Sequence, residues 1–276
     1  MLLVTILLFA SLITVCLSCF TGWVNGWGDL WIVIVTFIVS TIVGFILLAI
    51  YLFLSSWILS IKNKHRTKPS KYAQRLIKAV CELFLQVSRV KVLVRGLEKI
   101  PTDKPFVLIS NHQSNYDSVE TLWTMRYFPL IFIMKDSLMK VPVLGVHATA
   151  AGFLGLDRNN ARNGIKTIQE AIREIEEYKF SVAICPEGTR SKGYEMKEFH
   201  HGSFKIAVKS HSPIVVCAIQ NSCQIHKRTP FRSTYIYYDV VDVLKYEDYK
   251  DKNTQEISDE VYQMIKNKLE ELPKYE

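Results

Sequence analysis

Charge is distributed so unevenly along this chain that it limits the fold before any motif is considered. Among residues 1–61 only Asp29 is charged, whereas all 34 Lys and Arg and 25 of the 26 Asp and Glu lie in residues 62–276. Leu2 to Phe20 runs 19 residues without a charge, and Trp31 to Ile61 runs 31. About 20 apolar residues cross the hydrocarbon core of a bilayer. At 1.5 Å per residue the second run would reach roughly 45 Å against a core of about 30 Å, so it must tilt or leave one end in the interface. Between the runs, TGWVNGWGDL reads as a short polar turn with Trp23, Trp27 and Trp31 as interfacial anchors. The first run lacks the basic leading segment of a cleaved signal peptide. Residues 1–61 are therefore expected to form a membrane-anchoring hairpin.

Charge also sets the expected orientation. Lys62, Lys64, Arg66, Lys68, Lys71, Arg75 and Lys78 follow the second run before the first acid, Glu82. Positive flanks stay on the cytoplasmic side. The expectation is an integral membrane protein with its main domain on the cytoplasmic face. Residues 62–84 would be a basic juxtamembrane segment and amphipathic helix lying on anionic headgroups, and residues 85–276 the catalytic domain. The six Cys form no disulfide framework. Cys16 and Cys19 lie inside an apolar run with no second ligand pair, which argues against zinc, and Cys81, Cys185, Cys217 and Cys223 read as core thiols of a reducing compartment.

Beyond the leader, strand and helix patterns alternate. Residues 71–87 have helical spacing, and RVKVLVRG (89–96) alternates and stops at a glycine. KPFVLIS, LIFIMK (130–135), FSVAI, PIVVCAI (213–219) and STYIYYDVVDVL read as further strands. NYDSVETLWTMRYF opens a helix, residues 160–177 form an amphipathic one with Ile165, Ile168, Ile172 and Ile175 on its apolar stripe, and residues 254–272 close the chain as another. The pattern predicts an α/β layered domain with a mostly parallel sheet flanked by helices.

In such sheets, sites gather where the carboxyl ends of strands meet loops. Three polar clusters have that placement: NHQSNYDS (111–118), GFLGLDRNN (152–160) and CPEGTRSKG (185–193). His112 and Asp117 carry the first. In a chain with seven His the spacing alone says little, and Ser114 or Asn115 could simply cap the next helix. The functional reading is that Asp117 accepts a hydrogen bond from one His112 nitrogen and leaves the other as a general base. Arg158 and Arg190 offer planar forks suited to phosphate, and Gly188, Thr189 and Ser191 a turn of backbone and hydroxyl donors. The bland alternative for the third cluster is a Glu187–Arg190 ion pair that braces its loop.

These blocks resemble those of the glycerolipid acyltransferases, and most of all the 1-acyl-glycerol-3-phosphate (lysophosphatidic acid) acyltransferases. NHQSNYD is similar to the family's catalytic His-x-x-x-x-Asp block, GFLGLDR to its second block, PEGTRS matches the third, and PIVV is similar to the fourth. The resemblance covers about residues 85–245 and departs at Gly155, where a bulky apolar residue is usual, at Val216 and at His200–His201. It implies His112 as base with Asp117 as partner. It implies an acceptor phosphate held by Arg158, Glu187, Gly188, Thr189 and Arg190, with Lys135 adding charge, and Pro213 shaping the acyl-donor region. The partners implied are lysophosphatidic acid, an acyl-CoA or acyl carrier protein as co-substrate, and the bilayer, with no cofactor and no metal.

Other readings stand beside this one. Acylation of glycerol 3-phosphate or another lysophospholipid would use the same blocks. A non-catalytic anionic-lipid-binding membrane protein would need no His112–Asp117 pair. A hydrolase lacks the Gly-x-Ser-x-Gly elbow, and nucleic-acid binding does not suit a basic excess gathered next to the apolar leader.

Overall fold

The structure is a computed structural model that describes residues 2–21, 29–62, 68–157 and 161–275. It divides into two units, with the boundary after residue 66.

The first unit holds α1 (Leu2–Thr21) and α2 (Leu30–Lys62). They approach closely where Gly44 leaves room for Ile6, since a Cβ there would lie 2.8 Å from Ile6 Cγ2. Most other apolar side chains of both helices are exposed, Trp31, Phe53 and Trp57 among them. A helix that is apolar all round and still uncovered suits lipid as its solvent. Among the described residues one helix, Leu30–Ile61, is long and apolar enough to cross a membrane, and Leu2–Ser18 is a shorter apolar helix. Residues 22–28 of the expected turn, with Trp23 and Trp27, lie outside the described residues, as do Lys64 and Arg66.

The second unit begins with α3 (Lys71–Val87), capped by Ser70, whose side chain accepts from Ala73 N. This helix buries Ala73, Cys81, Leu83 and Leu85 in the catalytic domain, so the expected division at residues 84/85 cuts through a helix. Lys78, on the same helix, is tied into this unit. Its Nζ donates to the carbonyls of Arg126 and Phe128 at 2.9 Å each, and burial lowers its pKa.

A seven-stranded sheet is the core, in the order β1-β7-β6-β2-β5-β3-β4. The strands are β1 (Val90–Arg95), β2 (Val107–Ser110), β3 (Leu130–Lys135), β4 (Leu154–Leu156), β5 (Ser181–Ile184), β6 (Ile214–Gln220) and β7 (Thr234–Leu244). All neighbours are parallel except β6 and β7. β2 and β5 are buried at every position, which is why both read as unbroken apolar runs. The helices α4 (Tyr116–Thr124), α5 (Asp136–Met139), α6 (Leu144–Ala150), α7 (Ala161–Glu176), α8 (Lys205–Ser210), α9 (Ile225–Arg228), α10 (Tyr246–Tyr249) and α11 (Thr254–Glu271) connect or flank the strands.

Two local features depart from the sequence reading. GFLGLDRNN was expected as a loop, but its Leu154–Leu156 forms edge strand β4 on β3. Glycine at 155 has a packing reason there, since a Cβ would come within 3.1 Å of Asp136 Oδ1 and Met139 Cγ on α5. On α7, Ile165 is 59% exposed, and the buried face runs through Thr167, Ala171, Glu174 and Ile175 instead. Thr167 sets that rotation by donating from Oγ1 to Gly155 O at 2.8 Å.

Candidate active site

Parallel pairing of β6, β2, β5, β3 and β4 brings their carboxyl ends to one edge of the sheet. Ser110 ends β2 and the block Asn111–Asp117 turns out of the sheet into α4. Asn111 anchors this turn to β6. Its Nδ2 donates to Ile219 O at 2.9 Å and its Oδ1 accepts from Ile219 N at 2.8 Å. Gln113 Nε2 donates to Gln220 Oε1 at 3.0 Å.

His112 Nδ1 and Asp117 Oδ2 are 2.7 Å apart. A carboxylate accepts, so Nδ1 carries the proton and Nε2 is left with a free lone pair. Asp117 is 1% exposed at its side chain and His112 17%, so the carboxylate lies inside and the imidazole reaches the surface. Asp117 Oδ2 also accepts from Ser114 N at 2.8 Å, and Asp117 Oδ1 accepts from Ser222 Oγ. Asp117 thus ties down the turn before its helix and holds the histidine, while Ser114 Oγ accepts from Tyr116 N at 3.0 Å at the helix start. The capping reading and the functional reading of this block fall on different side chains.

Beneath this pair Glu120 is fully buried with no hydrogen-bond partner on either carboxyl oxygen among the described residues. Burial pushes its carboxyl well above the usual carboxylate range, and the charge of Asp117 adds to the effect. Both influences favour the neutral form of Glu120.

From β5, Cys185-Pro186-Glu187-Gly188 carries the third cluster alongside. Glu187 is buried and does not pair with Arg190. Its Oε1 accepts from His112 N at 2.6 Å and its Oε2 from Lys197 N at 3.0 Å. The ion-pair alternative gives way to a brace between the two loops, with the carboxylate accepting from a backbone amide of each. Burial pushes the Glu187 carboxyl up to about 6, against the pull of the two backbone donors.

The backbone amides of the same turn are also satisfied internally. Gly188 N donates to Cys185 O, Thr189 N to Glu187 O, Ser191 N to His112 O and Lys192 N to Gln113 O. The expected cradle of free N–H donors is absent at these positions, because the amides stitch the turn to the His112 block. Thr189 Oγ1 accepts from Lys197 Nζ at 2.9 Å. Gly188 has φ +73°, a left-handed conformation that favours glycine.

Arg190 and Lys135 are exposed, and neither side chain forms an ion pair or hydrogen bond among the described residues. Lys135 ends β3 at the same sheet edge. Arg158 lies outside the described residues. Pro213 stands at the opposite end of the sheet from His112, where its carbonyl accepts from Val107 N at 2.9 Å at the start of β2. The contribution of β6 to the site comes from its other end, through Gln220 and Ser222. No block marked Ser222, although its place two residues past an apolar strand offered a faint signal.

Beside the third cluster a cavity of about 340 Å³ opens, bordered by Pro186, Gly188 and Asp157 and walled by Ile133, Ile168 and Ile206.

The family model described as Acyltransferase matches residues 91–220. A 1-acyl-sn-glycerol-3-phosphate acyltransferase of Borreliella burgdorferi is 27% identical over 69% of this chain and 78% of that protein. Proteins of the same description from Escherichia coli (35% identical over 44% of this chain) and, as the alpha form, Homo sapiens (32% over 46%) match over 49% and 44% of their own lengths. The chain thus spans about half of these two. The crystal structure of the 1-acyl-sn-glycerophosphate acyltransferase from Thermotoga maritima superposes with a TM-score of 0.65 at 21% identity, covering 82% of this chain and 92% of that one, and shares the fold.

Proposed function

We propose, from the match of the family model described as Acyltransferase to residues 91–220, that the chain is an O-acyltransferase that transfers an acyl group from a thioester to the sn-2 hydroxyl of lysophosphatidic acid, giving phosphatidic acid in phospholipid synthesis. The observation that carries this reading is the His112 Nδ1–Asp117 bond of 2.7 Å at the sheet edge, with the imidazole partly exposed. His112 Nε2 takes the proton of the acceptor hydroxyl as its oxygen attacks the thioester carbonyl. The tetrahedral intermediate collapses, the C–S bond breaks, and the departing thiolate takes the proton from the imidazolium. Asp117 keeps the imidazole in the required tautomer and stabilises its transient charge.

Arg190, Lys135 and Arg158 are assigned to the acceptor phosphate, the first two because they are cations at this edge whose hydrogen-bonding capacity is unspent. The apolar cavity next to Pro186 suits the fatty chain of a substrate. The donor is an acyl-CoA or acyl carrier protein. The long apolar helix is consistent with membrane association. The further reading is an integral anchor with the catalytic unit on the cytoplasmic face, supported by the basic residues that follow Ile61.

Detergent-purified protein supplied with lysophosphatidic acid, glycerol 3-phosphate, other lysophospholipids and monoacylglycerol, each with both donor types, tests the proposal. Lysophosphatidic acid should give the highest kcat/KM. A higher value for glycerol 3-phosphate would move the assignment to that acceptor.

A further inference from the structure

Asp117 orients His112 only if its own carboxylate is prevented from turning. Ser114 N holds Oδ2, the same oxygen that meets His112 Nδ1. Oδ1 is held from a distant part of the chain, by Ser222 Oγ, 105 residues away in sequence. Ser222 is fully buried, as is nearly all of Asp117. A buried carboxylate oxygen without a donor is costly, and a single tether leaves rotation about Cβ–Cγ free. Donors on both oxygens remove that freedom.

The position of Ser222 is itself built. β6 ends at Gln220, and Asn221, at φ +77°, turns the chain back so that Ser222 opens a short helical turn through Gln224. Asn221 Nδ2 donates to Tyr235 O at 3.3 Å and to Pro273 O at 3.1 Å. Gln220 Nε2 donates to Leu269 O at 3.1 Å, while its Oε1 receives Gln113 Nε2. The end of β6 is thus tied to the C-terminal segment on one side and to the His112 block on the other. Nothing in this arrangement brings Ser222 to solvent or substrate.

We propose that Ser222 is a positioning residue for acyl transfer, the second anchor that locks the Asp117 carboxylate so that Oδ2 faces His112 Nδ1. The proposal deepens the acyltransferase reading and rests on it for its kinetic consequences only. A group acting through the base changes the chemical step and not the acceptor contacts. Ser222→Ala should therefore lower kcat on the order of 10-fold with KM within about twofold, in line with the usual worth of a hydrogen bond to a charged group. Ser222→Thr keeps the hydroxyl and should recover most of the loss. Ser222→Ala added to Asp117→Asn should cost little more, because the carboxylate it serves is already gone.

The experiment uses the full chain in detergent. Thermal unfolding first identifies the folded variants, and kcat and KM are then measured with the acceptor that the wild type uses best. If Ser222→Ala fails to fold, Ser222→Cys, similar in size but a poor donor, takes its place. The second readout needs no substrate. In protein with ¹⁵N-labelled histidine, the His112 Nδ1–H resonance, identified by its loss in His112→Ala, should be protected in the wild type. It should broaden by exchange in Ser222→Ala or Ser222→Cys and return in Ser222→Thr. Wild-type kcat together with an unchanged resonance in a folded variant lacking the hydroxyl overturns the proposal. So does a full, additive loss in the Asp117→Asn background. A wild type inactive with every acceptor would sink the acyltransferase reading, and the resonance would still decide the role of Ser222.

Discussion

The two sides of the site are built in opposite ways. On the β2–β6 side, the hydrogen-bonding capacity of Asp117 is met from three places, and Asn111 and Gln113 lock the turn to the neighbouring strand. On the β5 side, Glu187 and the backbone amides of Gly188, Thr189, Ser191 and Lys192 are spent on internal bonds, while the Arg190 side chain is exposed with no partner among the described residues. The difference matches the two tasks proposed for these sides. A general base must meet its proton in a fixed geometry, so the protein organises it before substrate arrives. A phosphate bears its charge throughout the reaction, and a mobile guanidinium can close on it when it binds.

If this contrast is right, substitutions on the two sides should fail in different kinetic constants. The largest effect is expected for His112→Ala, with kcat down about 10²–10⁴-fold and acceptor binding largely kept. Near-wild-type turnover in that variant would end the mechanism. Arg190→Ala should raise KM for the phosphorylated acceptor on the order of 10–100-fold with much less effect on kcat, and Arg190→Lys should recover only part. Its preference for that acceptor over monoacylglycerol should fall accordingly. Full retention of the preference, with kcat alone reduced, would place Arg190 among the loop's internal supports.

Glu187 lies between the two sides and sharpens the comparison. Its ionised form accepts from both His112 N and Lys197 N, whereas Glu187→Gln can accept at one oxygen only. The expected result is a kcat reduced about 3–10-fold with KM near wild type, consistent with an unpaired buried amide. A several-fold rise in KM with kcat intact would return Glu187 to the phosphate. The same brace gives a pH dependence. Burial raises this carboxyl to about 6, so the ionised brace is complete above that pH and slackens as pH falls through it, lowering kcat. Stability through this group alone runs the other way. A raised carboxyl pKa favours the protonated folded state, a contribution present below the unfolded value of 4.5 and lost as pH rises through about 6.

The smallest effect is expected far from the chemistry. Glu174 on α7 is buried, one carboxyl oxygen lacks a partner, and burial raises its pKa to about 7. Glu174→Gln removes the cost of ionising it. A Tm gain of a few degrees at pH 8, shrinking toward zero at pH 5, is expected with kcat unchanged. An equal gain at both pH values would assign the effect to packing rather than charge.

Much of this was legible along the chain because it depends on neighbours in sequence. Helix α11 was expected over residues 254–272, and the structure shows why local sequence suffices: Asn253 and Glu256 form a reciprocal cap, and Ile257, Val261 and Ile265 lie one turn apart on the buried face. The central parallel strands showed as apolar runs, and the His112–Asp117 spacing marked a pair that a helix start folds together. What pairwise spacing cannot reveal is which end of a strand faces a site. Pro213 and Ser222 flank the same strand, and only sheet register decides that the serine reaches Asp117 while the proline lies at the far edge. The family resemblance likewise implied Glu187 as part of a phosphate turn, yet its carboxylate accepts from two backbone amides of different loops. Local sequence determines where chain reversals and apolar faces fall, because those energies are summed over a few residues. The partners of a buried polar atom are decided only when distant strands close around it, since each must then find its hydrogen bonds within the protein.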